Sequence, residues 1–275
     1  MKVFKSINNN IVSAFDDSGR EVVVIGKGIG FKAKEGMLIE KEKISKVFVM
    51  SSQDNLDRLK DLFAQLQREY IEITDEILTY AKQRLNKKIN ENAYFTLADH
   101  ISFAVSRMRE GMHFQNILTA EMRRFYPEEF SVGLYALKLM KEKMGVHMPE
   151  DEAASIAMHI LNAQYDISFS DGFKATQLLG WIINTIAKYS GGEINTESYY
   201  GERFVTHLKY LIQRIIRKEP PSFGDDWIYH LMKAWYPKET ACCEAVAAEI
   251  LATHNYEMFK HEIGYMAMHI KRIGL

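Results

Sequence analysis

The sequence contains no long apolar run and almost no cysteine. No apolar stretch approaches the roughly 18 residues of a membrane-spanning helix, and polar Asn8-Asn9-Asn10 stands where a signal peptide would carry its apolar core. The two cysteines, Cys242 and Cys243, are adjacent, which excludes a disulfide framework and a zinc site built from spaced cysteine pairs. We therefore expect a cytoplasmic protein without membrane insertion, in which both thiols are buried.

A strong net charge of either sign is also missing. The 275 residues carry 35 basic and 36 acidic side chains, for a formal net charge of −1. This excludes function as a whole-protein polycation or through an acidic tail. Hydrophobic residues make up 47% of the chain, which is enough for the cores of two or three domains. The charge is uneven, however, because residues 1–50 carry a net charge of +3 and the remainder −4.

Residues 1–50 have the pattern of a small antiparallel sheet. Short runs of β-branched and aromatic residues alternate there with turn-forming segments. A sheet of this size buries one face only marginally by itself, so pairing two copies face to face would complete a core. We therefore predict a homodimer. The four predicted strands are Val3–Ile7, Ile11–Phe15, Glu21–Ile25 and Lys46–Val49.

From about Asn55 onward apolar residues recur every three or four positions, which indicates helices. Later breaks fall at similar places in two segments, each the size of a helical bundle. The predicted fold is multidomain: a small antiparallel β-sheet domain at 1–55, followed by two all-α helical-bundle domains at 64–170 and 171–275. The breaks are predicted at Gly111, Pro127, Gly145 with Pro149, Asp171-Gly172, Gly191-Gly192, Pro220-Pro221 and Pro237.

The two helical segments are a tandem repeat. Ala157-Met158-His159-Ile160 returns as Ala267-Met268-His269-Ile270, and Phe125-Tyr126-Pro127 returns at the same offset as Trp235-Tyr236-Pro237. Each repeat therefore carries one histidine in an identical tetrapeptide. A duplicated framework explains repeated leucines more easily than repeated histidines.

A second histidine and two charged residues repeat as well. His100 is followed by Arg107 and His207 by Arg214, seven positions later in each case. The late histidine of each repeat follows a glutamate, again by seven positions, so the two residues share a helix face two turns apart. The glutamates are Glu152 and Glu262.

Four roles are open to these histidines: metal ligands, an acid/base pair, phosphoryl acceptors or hydrogen-bonded core residues. A metal is disfavoured because His261-Glu262 has Tyr265 where a second ligand would stand. Acid/base catalysis would bring further polar groups, and none is recognisable. A phosphoryl-accepting imidazole needs only access and a neighbouring cation, which His100 with Arg107 provides. We predict no cofactor and no metal.

The glycine-rich segment Gly26-Lys27-Gly28-Ile29-Gly30-Phe31 resembles a nucleotide loop only superficially. It lacks a correctly placed third glycine and a following helix. As a turn between strands, it leaves Lys27 and Phe31 free for phosphate attraction and base stacking, while asparagines supply amides for base edges. The alternative is a tight hairpin with Phe31 in the core.

These motifs together resemble the BglG/SacY/LicT family of transcriptional antiterminators. The resemblance is carried by Lys5-Ser6-Ile7-Asn8-Asn9-Asn10, the glycine-rich segment, Lys46-Val47-Phe48 and the two repeats with paired histidines, and it covers essentially the whole chain. It implies a co-antiterminator RNA-binding domain that works as a dimer, followed by two PTS regulation domains. The implied RNA-contacting residues are Lys5, Asn8, Asn10, Gly26, Lys27, Phe31 and Lys32, and the implied phosphoryl acceptors are His100, His159, His207 and His269.

The resemblance also implies a function. Such a protein binds an RNA hairpin, the ribonucleic antiterminator, in nascent mRNA where it overlaps a terminator, and so allows expression of sugar-utilisation genes. The phosphocarrier HPr and a sugar-specific PTS permease would act as phosphoryl donors, and the protein would not be an enzyme. Two competing hypotheses are a histidine-dependent phosphotransfer or metal-hydrolase enzyme with a β docking module, and a regulator that binds DNA through its helices.

Overall fold

The structure is a computed structural model that describes residues 1–50, 52–112, 114–219 and 224–274. A four-stranded antiparallel sheet comes first, with its strands in chain order as neighbours. The tight turn after the second strand is held by Asp16, whose Oδ1 accepts hydrogen bonds from the backbone N–H groups of Ser18 and Arg20. The predicted sheet is confirmed. Its strands are β1 (Lys2–Asn8), β2 (Ile11–Phe15), β3 (Glu21–Ile25) and β4 (Lys46–Phe48).

Eleven helices follow in the described part of the chain. Six of them lie in the first 165 residues: α1 (Gln53–Gln65), α2 (Arg68–Leu85), α3 (Asn92–Arg109), α4 (Thr119–Phe125), α5 (Pro127–Met144) and α6 (Glu150–Tyr165). The other five are α7 (Phe169–Ser190), α8 (Tyr199–Arg217), α9 (Trp227–Trp235), α10 (Pro237–His254) and α11 (Lys260–Ile273). Among the described residues, no helix is both long and apolar enough to cross a membrane.

Both faces of the sheet are covered within one chain. The face that carries Val12 and Val24 packs under the segment between β3 and β4, which contributes Ile29. The opposite face packs on α1 and on parts of α2 and α3. The open sheet face from which we predicted a homodimer is therefore absent in this conformation. The residues that join the sheet to α1 are Ile11, Val23, Ile25 and Phe48 on the strands and Leu56, Leu59 and Phe63 on the helix.

One helix boundary differs from that predicted, and another cannot be compared. The break at Asp171-Gly172 is wrong, because α7 already begins at Phe169. Ser168 caps that helix by accepting a hydrogen bond from the backbone N–H of Asp171, and the chain turns at Asp166, whose φ is +53°. The predicted break at Pro220-Pro221 lies outside the described residues.

The chain divides into two compact units. The first comprises Met1–Asn116 and Glu128–Asp166, so it contains the sheet and most of the first repeat. The second comprises Ile117–Pro127 and Ile167–Leu275. Helix α4, although it comes from the first repeat, therefore belongs to the second unit, where it packs on α7.

Candidate functional sites

The glycine-rich segment lies against the hairpin between β1 and β2. The backbone N–H of Gly26 donates to the carbonyl of Asn10 over 2.9 Å, and that of Gly30 donates to Asn9 over 3.1 Å. A Cβ at Gly26 would lie 1.9 Å from the carbonyl oxygen of Lys43. Gly26 is thus buried, and its lack of a side chain permits this close approach.

The side chains of Asn8 and Asn10 form hydrogen bonds with backbone groups instead of projecting into solvent. Oδ1 of Asn10 accepts a hydrogen bond of 2.9 Å from the N–H of Gly28 and so fixes the glycine-rich segment. Oδ1 of Asn8 accepts from the N–H of Asn10, and its Nδ2 donates over 3.1 Å to the carbonyl of Phe63 on α1. One predicted RNA contact, the amide of Asn8, is therefore bonded to a helix outside the sheet.

The other implied RNA-contacting side chains are exposed. Lys5 lies on β1, and Lys27, Phe31 and Lys32 lie on or next to the glycine-rich segment. The ring of Phe31 is 62% exposed, which excludes the alternative that it fills the core. Nζ of Lys32 lies 5.3 Å from its centroid, in cation–π range. The result is an exposed aromatic ring with a lysine over it, a combination that suits stacking with RNA bases and attraction of phosphates.

Asp75 and Tyr94, which were not predicted as site residues, connect the sheet edge to the first repeat. Nζ of Lys46 on β4 lies 3.1 Å from Asp75 of α2, and the hydroxyl of Tyr94 on α3 donates to the same carboxylate over 2.9 Å. The Tyr94 ring packs edge-on against Phe48 at 5.2 Å. Burial, with the Asp75 charge, raises the pKa of Tyr94 well above its usual value. The sequence gives no local signal for these contacts.

The structure brings the histidines of the first repeat together. His100 on α3 and His159 on α6 have ring centroids 4.7 Å apart. Glu152 lies on α6, and its side chain is only 2% exposed. It forms an ion pair with Arg107 of α3. The residue types that repeat in the sequence thus form one cluster.

Glu152 also faces the first histidine. Its Oε2 lies 3.2 Å from Nε2 of His100, within ion-pairing distance. The orientation does not make a hydrogen bond, and neither atom has another hydrogen-bond partner among the described residues. The residue before α6 is Pro149, which has no N–H to donate to this oxygen. Oε2 is therefore left facing the imidazole.

The second repeat has the same cluster with one difference. His207 on α8 and His269 on α11 have centroids 5.0 Å apart, and Arg214 pairs with the buried Glu262. Here the residue before the helix is Phe259, and its backbone N–H donates to Oε2 of Glu262 over 3.1 Å. That carboxylate oxygen is thus occupied at the helix N-terminus.

Burial keeps the imidazoles of His159 and His207 neutral at pH 7. Burial and then the neighbouring His100 lower the pKa of His159 to about 3, although part of this side chain still reaches the surface. Burial, His269 and Arg214 lower the pKa of His207 to about 4. A neutral imidazole has a nucleophilic nitrogen lone pair, as phosphoryl transfer requires. Among the described residues, no group of histidine, cysteine, aspartate and glutamate could hold a metal ion.

The surroundings of the two clusters differ in charge. Burial lowers the pKa of His269, and the positive charges of Arg272 and Arg203 lower it further. Arg272 follows His269 by three positions on α11, and Arg203 precedes His207 by four on α8, so both arginines share helix faces with the histidines. The corresponding residues of the first repeat are neutral, Thr96 and Asn162.

Comparison with known proteins agrees with both parts of the chain. Residues 1–57 match the CAT RNA binding domain and residues 75–163 and 181–273 match the PRD domain. The chain is 35% identical over 273 residues to the transcription antiterminator LicT of Bacillus subtilis, covering 99% of both proteins. It is 33% identical to the beta-glucoside operon antiterminator of Dickeya chrysanthemi, covering 99% of this chain and 96% of that protein.

A solved structure shows the same architecture for the first part of the chain. The crystal structure of GlcT CAT-PRDI aligns with a TM-score of 0.52 at 33% identity and covers 59% of this chain and 97% of its own. The curated relatives named above are antiterminators, which are regulators. The protein belongs to the family of transcription antiterminators that combine a CAT RNA binding domain with PRD domains.

Proposed function

We propose that this protein is an antiterminator that stabilises an mRNA hairpin overlapping a terminator and so allows expression of sugar-utilisation genes. Its activity is controlled by phosphotransferase-system phosphorylation of histidines, and it acts in the cytoplasm, where nascent mRNA is made. The observation that carries this proposal is the match of residues 1–57 to an RNA-binding domain, joined to two repeats that each hold a partly buried histidine pair. The domains are proposed to span 1–55, 64–170 and 171–275.

The RNA surface is proposed to centre on Phe31. Its exposed ring offers a stacking platform, and Lys5, Lys27 and Lys32 offer phosphate contacts. Asn10 is held beside it by its bond to Gly28, and the amide of Asn8 joins the surface once its bond to Phe63 of α1 is released. Gly26 allows the glycine-rich segment to pass close to the backbone of Lys43. No described residue of this set needs a cofactor for such recognition.

A binding assay with residues 1–55 tests the RNA surface. Phe31→Ala is expected to weaken hairpin binding by one to two orders of magnitude, because stacking is worth about 1–3 kcal/mol per base. Lys27→Gln should weaken binding less and flatten its salt dependence by about one unit of slope. Lys43→Gln is the matched control, since Lys43 already pairs with Glu40 at 2.8 Å. Equal effects of the Lys27 and Lys43 substitutions would contradict the proposed surface.

The four histidines are proposed to be the phosphoryl acceptors, with HPr and a sugar-specific permease as donors. In each transfer the bond between phosphorus and the donor breaks while a bond to an imidazole nitrogen forms. The chain is then a substrate of phosphotransfer rather than an enzyme. Each phosphate adds roughly two negative charges to its cluster.

The two clusters are expected to respond in opposite directions. A phosphate on His100 would meet the carboxylate of Glu152, which lies 3.2 Å from the ring nitrogen, and would disturb the ion pair with Arg107. A phosphate on His269 would instead gain the attraction of Arg203 and Arg272. Phosphorylation of the first repeat therefore loosens its cluster, whereas phosphorylation of the second strengthens its own.

The packing of α1 on the sheet links phosphorylation of the histidine clusters to RNA binding. A homodimer that pairs two sheets face to face needs the surface that α1 now covers. The same helix also holds the amide of Asn8 through the carbonyl of Phe63. Release of α1 would thus open the dimer face and free an RNA-contacting amide together. The link from Lys46 to Asp75 connects this arrangement to the first repeat.

Detaching α1 should therefore activate the full chain. Phe63 is 1% exposed and packs against Phe48 at 5.3 Å, so Phe63→Asp would place a charge in that contact. We expect at least a tenfold gain in hairpin affinity and a shift to dimer in sedimentation. Ala64→Asp, at the next, exposed position of α1, is the control and should leave both unchanged. Loss of RNA binding in the folded Phe63 variant would disprove this role of α1.

A further inference from the structure

Helix α9 has an apolar face that is exposed among the described residues. Trp227, Leu231 and Trp235 are spaced four residues apart and so lie on one side of the helix. Their exposed fractions are 56%, 43% and 72%. Two tryptophans and a leucine in one exposed row are unusual for a surface that only water covers, and such patches mark interaction sites.

The corresponding face of the first repeat is covered. By the offset that relates Phe125-Tyr126-Pro127 to Trp235-Tyr236-Pro237, α4 corresponds to α9. Phe125 is 4% exposed and Tyr126 is 5% exposed, whereas Trp235 is 72% exposed. Glu121 and Phe125 lie directly against Gly180 of α7. The position is thus a packing surface in one repeat and an open one in the other.

The contact site that receives α4 is specific. Nζ of Lys209 on α8 donates to the carbonyl of Phe125 over 2.6 Å and lies 4.2 Å from the ring of Tyr126. By the offset between His100 and His207, Gly180 and Lys209 correspond to Ile73 and Ser102 in the first repeat. The first repeat therefore lacks both the glycine and the lysine of this site. The first repeat of a second copy therefore cannot bind α9 in the way that α7 binds α4.

We propose that α9 packs antiparallel against α9 of a second copy about a two-fold axis. This places Leu231 at the axis and Trp227 opposite Trp235 of the other copy. The charges suit such an arrangement, because Asp226 precedes the helix and Lys238 follows it, so each acidic end would meet a basic end. Lys233, the one lysine within α9, is already neutralised by Glu244 at 2.7 Å.

This interface rests on the proposed function and adds to it a second contact between copies, separate from the sheet. A standard interface buries about 800 Å² per partner, and two tryptophans with a leucine supply on the order of half of that. The α9 contact alone is thus weak and reversible. Such a contact suits a dimer whose equilibrium is shifted by phosphorylation.

Sedimentation of the full chain tests the interface. Leu231→Asp would bring two carboxylates together at the axis and is expected to raise the dimer dissociation constant at least tenfold. Leu231→Asn introduces a side chain of the same size as aspartate but without charge, and should raise the dissociation constant less. Asp226→Lys and Lys238→Asp should each raise the dimer dissociation constant. The double variant restores opposite charges at the two ends and should have a dissociation constant close to that of the wild type. Additive losses, or a wild type that stays monomeric at the highest concentration reached, would overturn the proposal.

Cross-linking tests the two-fold axis independently. Leu231→Cys is expected to give an intermolecular disulfide on mild oxidation, whereas Ala234→Cys, off the axis, should not. The native thiols do not compete, since Cys242 and Cys243 are buried and burial raises the pKa of both. Equal cross-linking of both variants, or none, would overturn the arrangement.

The same variants separate this interface from the proposed function. Hairpin binding by residues 1–55 and phosphate uptake by the four histidines do not involve α9. The fragment, which lacks α9, is expected to bind the hairpin. Leu231→Asp is expected to take up phosphate as the wild type does. Reduced phosphate uptake with unchanged sedimentation would assign α9 to a phosphoryl donor and overturn the second-copy proposal. Failure of RNA binding in the fragment would count against the proposed function alone.

Discussion

Replacing Glu152 by glutamine is expected to lower the free energy of unfolding of the first unit by about 3–5 kcal/mol, the usual cost of removing one partner of a buried ion pair. Glu152 is 2% exposed and Arg107 is 16% exposed, so the remaining guanidinium would stay buried without its counter-charge. Urea denaturation followed by circular dichroism measures the loss. A change below about 1 kcal/mol would show that solvent or another group replaces the carboxylate.

The distribution of tryptophan provides an internal control. All three tryptophans, Trp181, Trp227 and Trp235, lie in the second unit, so their fluorescence follows that unit alone. Glu152→Gln should move the circular dichroism transition and leave the fluorescence transition in place. Glu262→Gln should move the fluorescence transition together with the part of the circular dichroism change that comes from α7 to α11, and less strongly, because its partner Arg214 is 27% exposed. A shift of the fluorescence transition in Glu152→Gln equal to that of the circular dichroism transition would show that the units unfold together.

The clusters could be predicted because they depend on repetition. His100 and His159, or His207 and His269, are far apart in sequence, but each occupies the same place in two copies of one framework. A framework that brings one pair together must bring the other pair together too. The difference between the clusters was also present in the sequence, since Pro149 has no N–H to offer Glu152.

The role of α1 could not be predicted in the same way. It depends on which surface of the sheet finds a partner, and the apolar residues of α1 would suit a core within the helical domain equally well. The bond between Asn8 and Phe63 joins residues 55 positions apart with no local pattern. Even the end of α1 at Leu66 has neither glycine nor proline to mark it.

The wrong break at Asp171-Gly172 has a simple physical cause. Aspartate followed by glycine is a strong turn signal, but aspartate is also favoured in the first turn of a helix, where it interacts with the helix dipole. Ser168 supplies the cap that decides between the two. Gly172 is then buried inside α7, where its carbonyl accepts a hydrogen bond from Thr176.

Replacing His207 and His269 together by aspartate is expected to make read-through independent of HPr. Each aspartate carries one negative charge where the phosphate would carry about two. The charge at position 269 would meet Arg203 and Arg272, and the charge at position 207 would meet Arg214. The variant should therefore be partly active without any donor. Replacement by glutamine removes the acceptor and adds no charge, and we expect it to lower read-through at least tenfold under conditions where HPr is phosphorylated.

The matched double variant of the first repeat should behave in the opposite way. Aspartate at His100 and His159 would place negative charge beside Glu152, which is already buried and faces His100. We expect constitutively low read-through, and glutamine at both positions should instead raise read-through, because the first repeat could then accept no phosphoryl group. A reporter in which the hairpin controls transcription past the terminator measures all four variants. If aspartate in the second repeat leaves the dependence on HPr unchanged, the assignment of His207 and His269 as acceptors fails. If aspartate changes read-through in the same direction in both repeats, the electrostatic difference between the clusters does not set the direction of control.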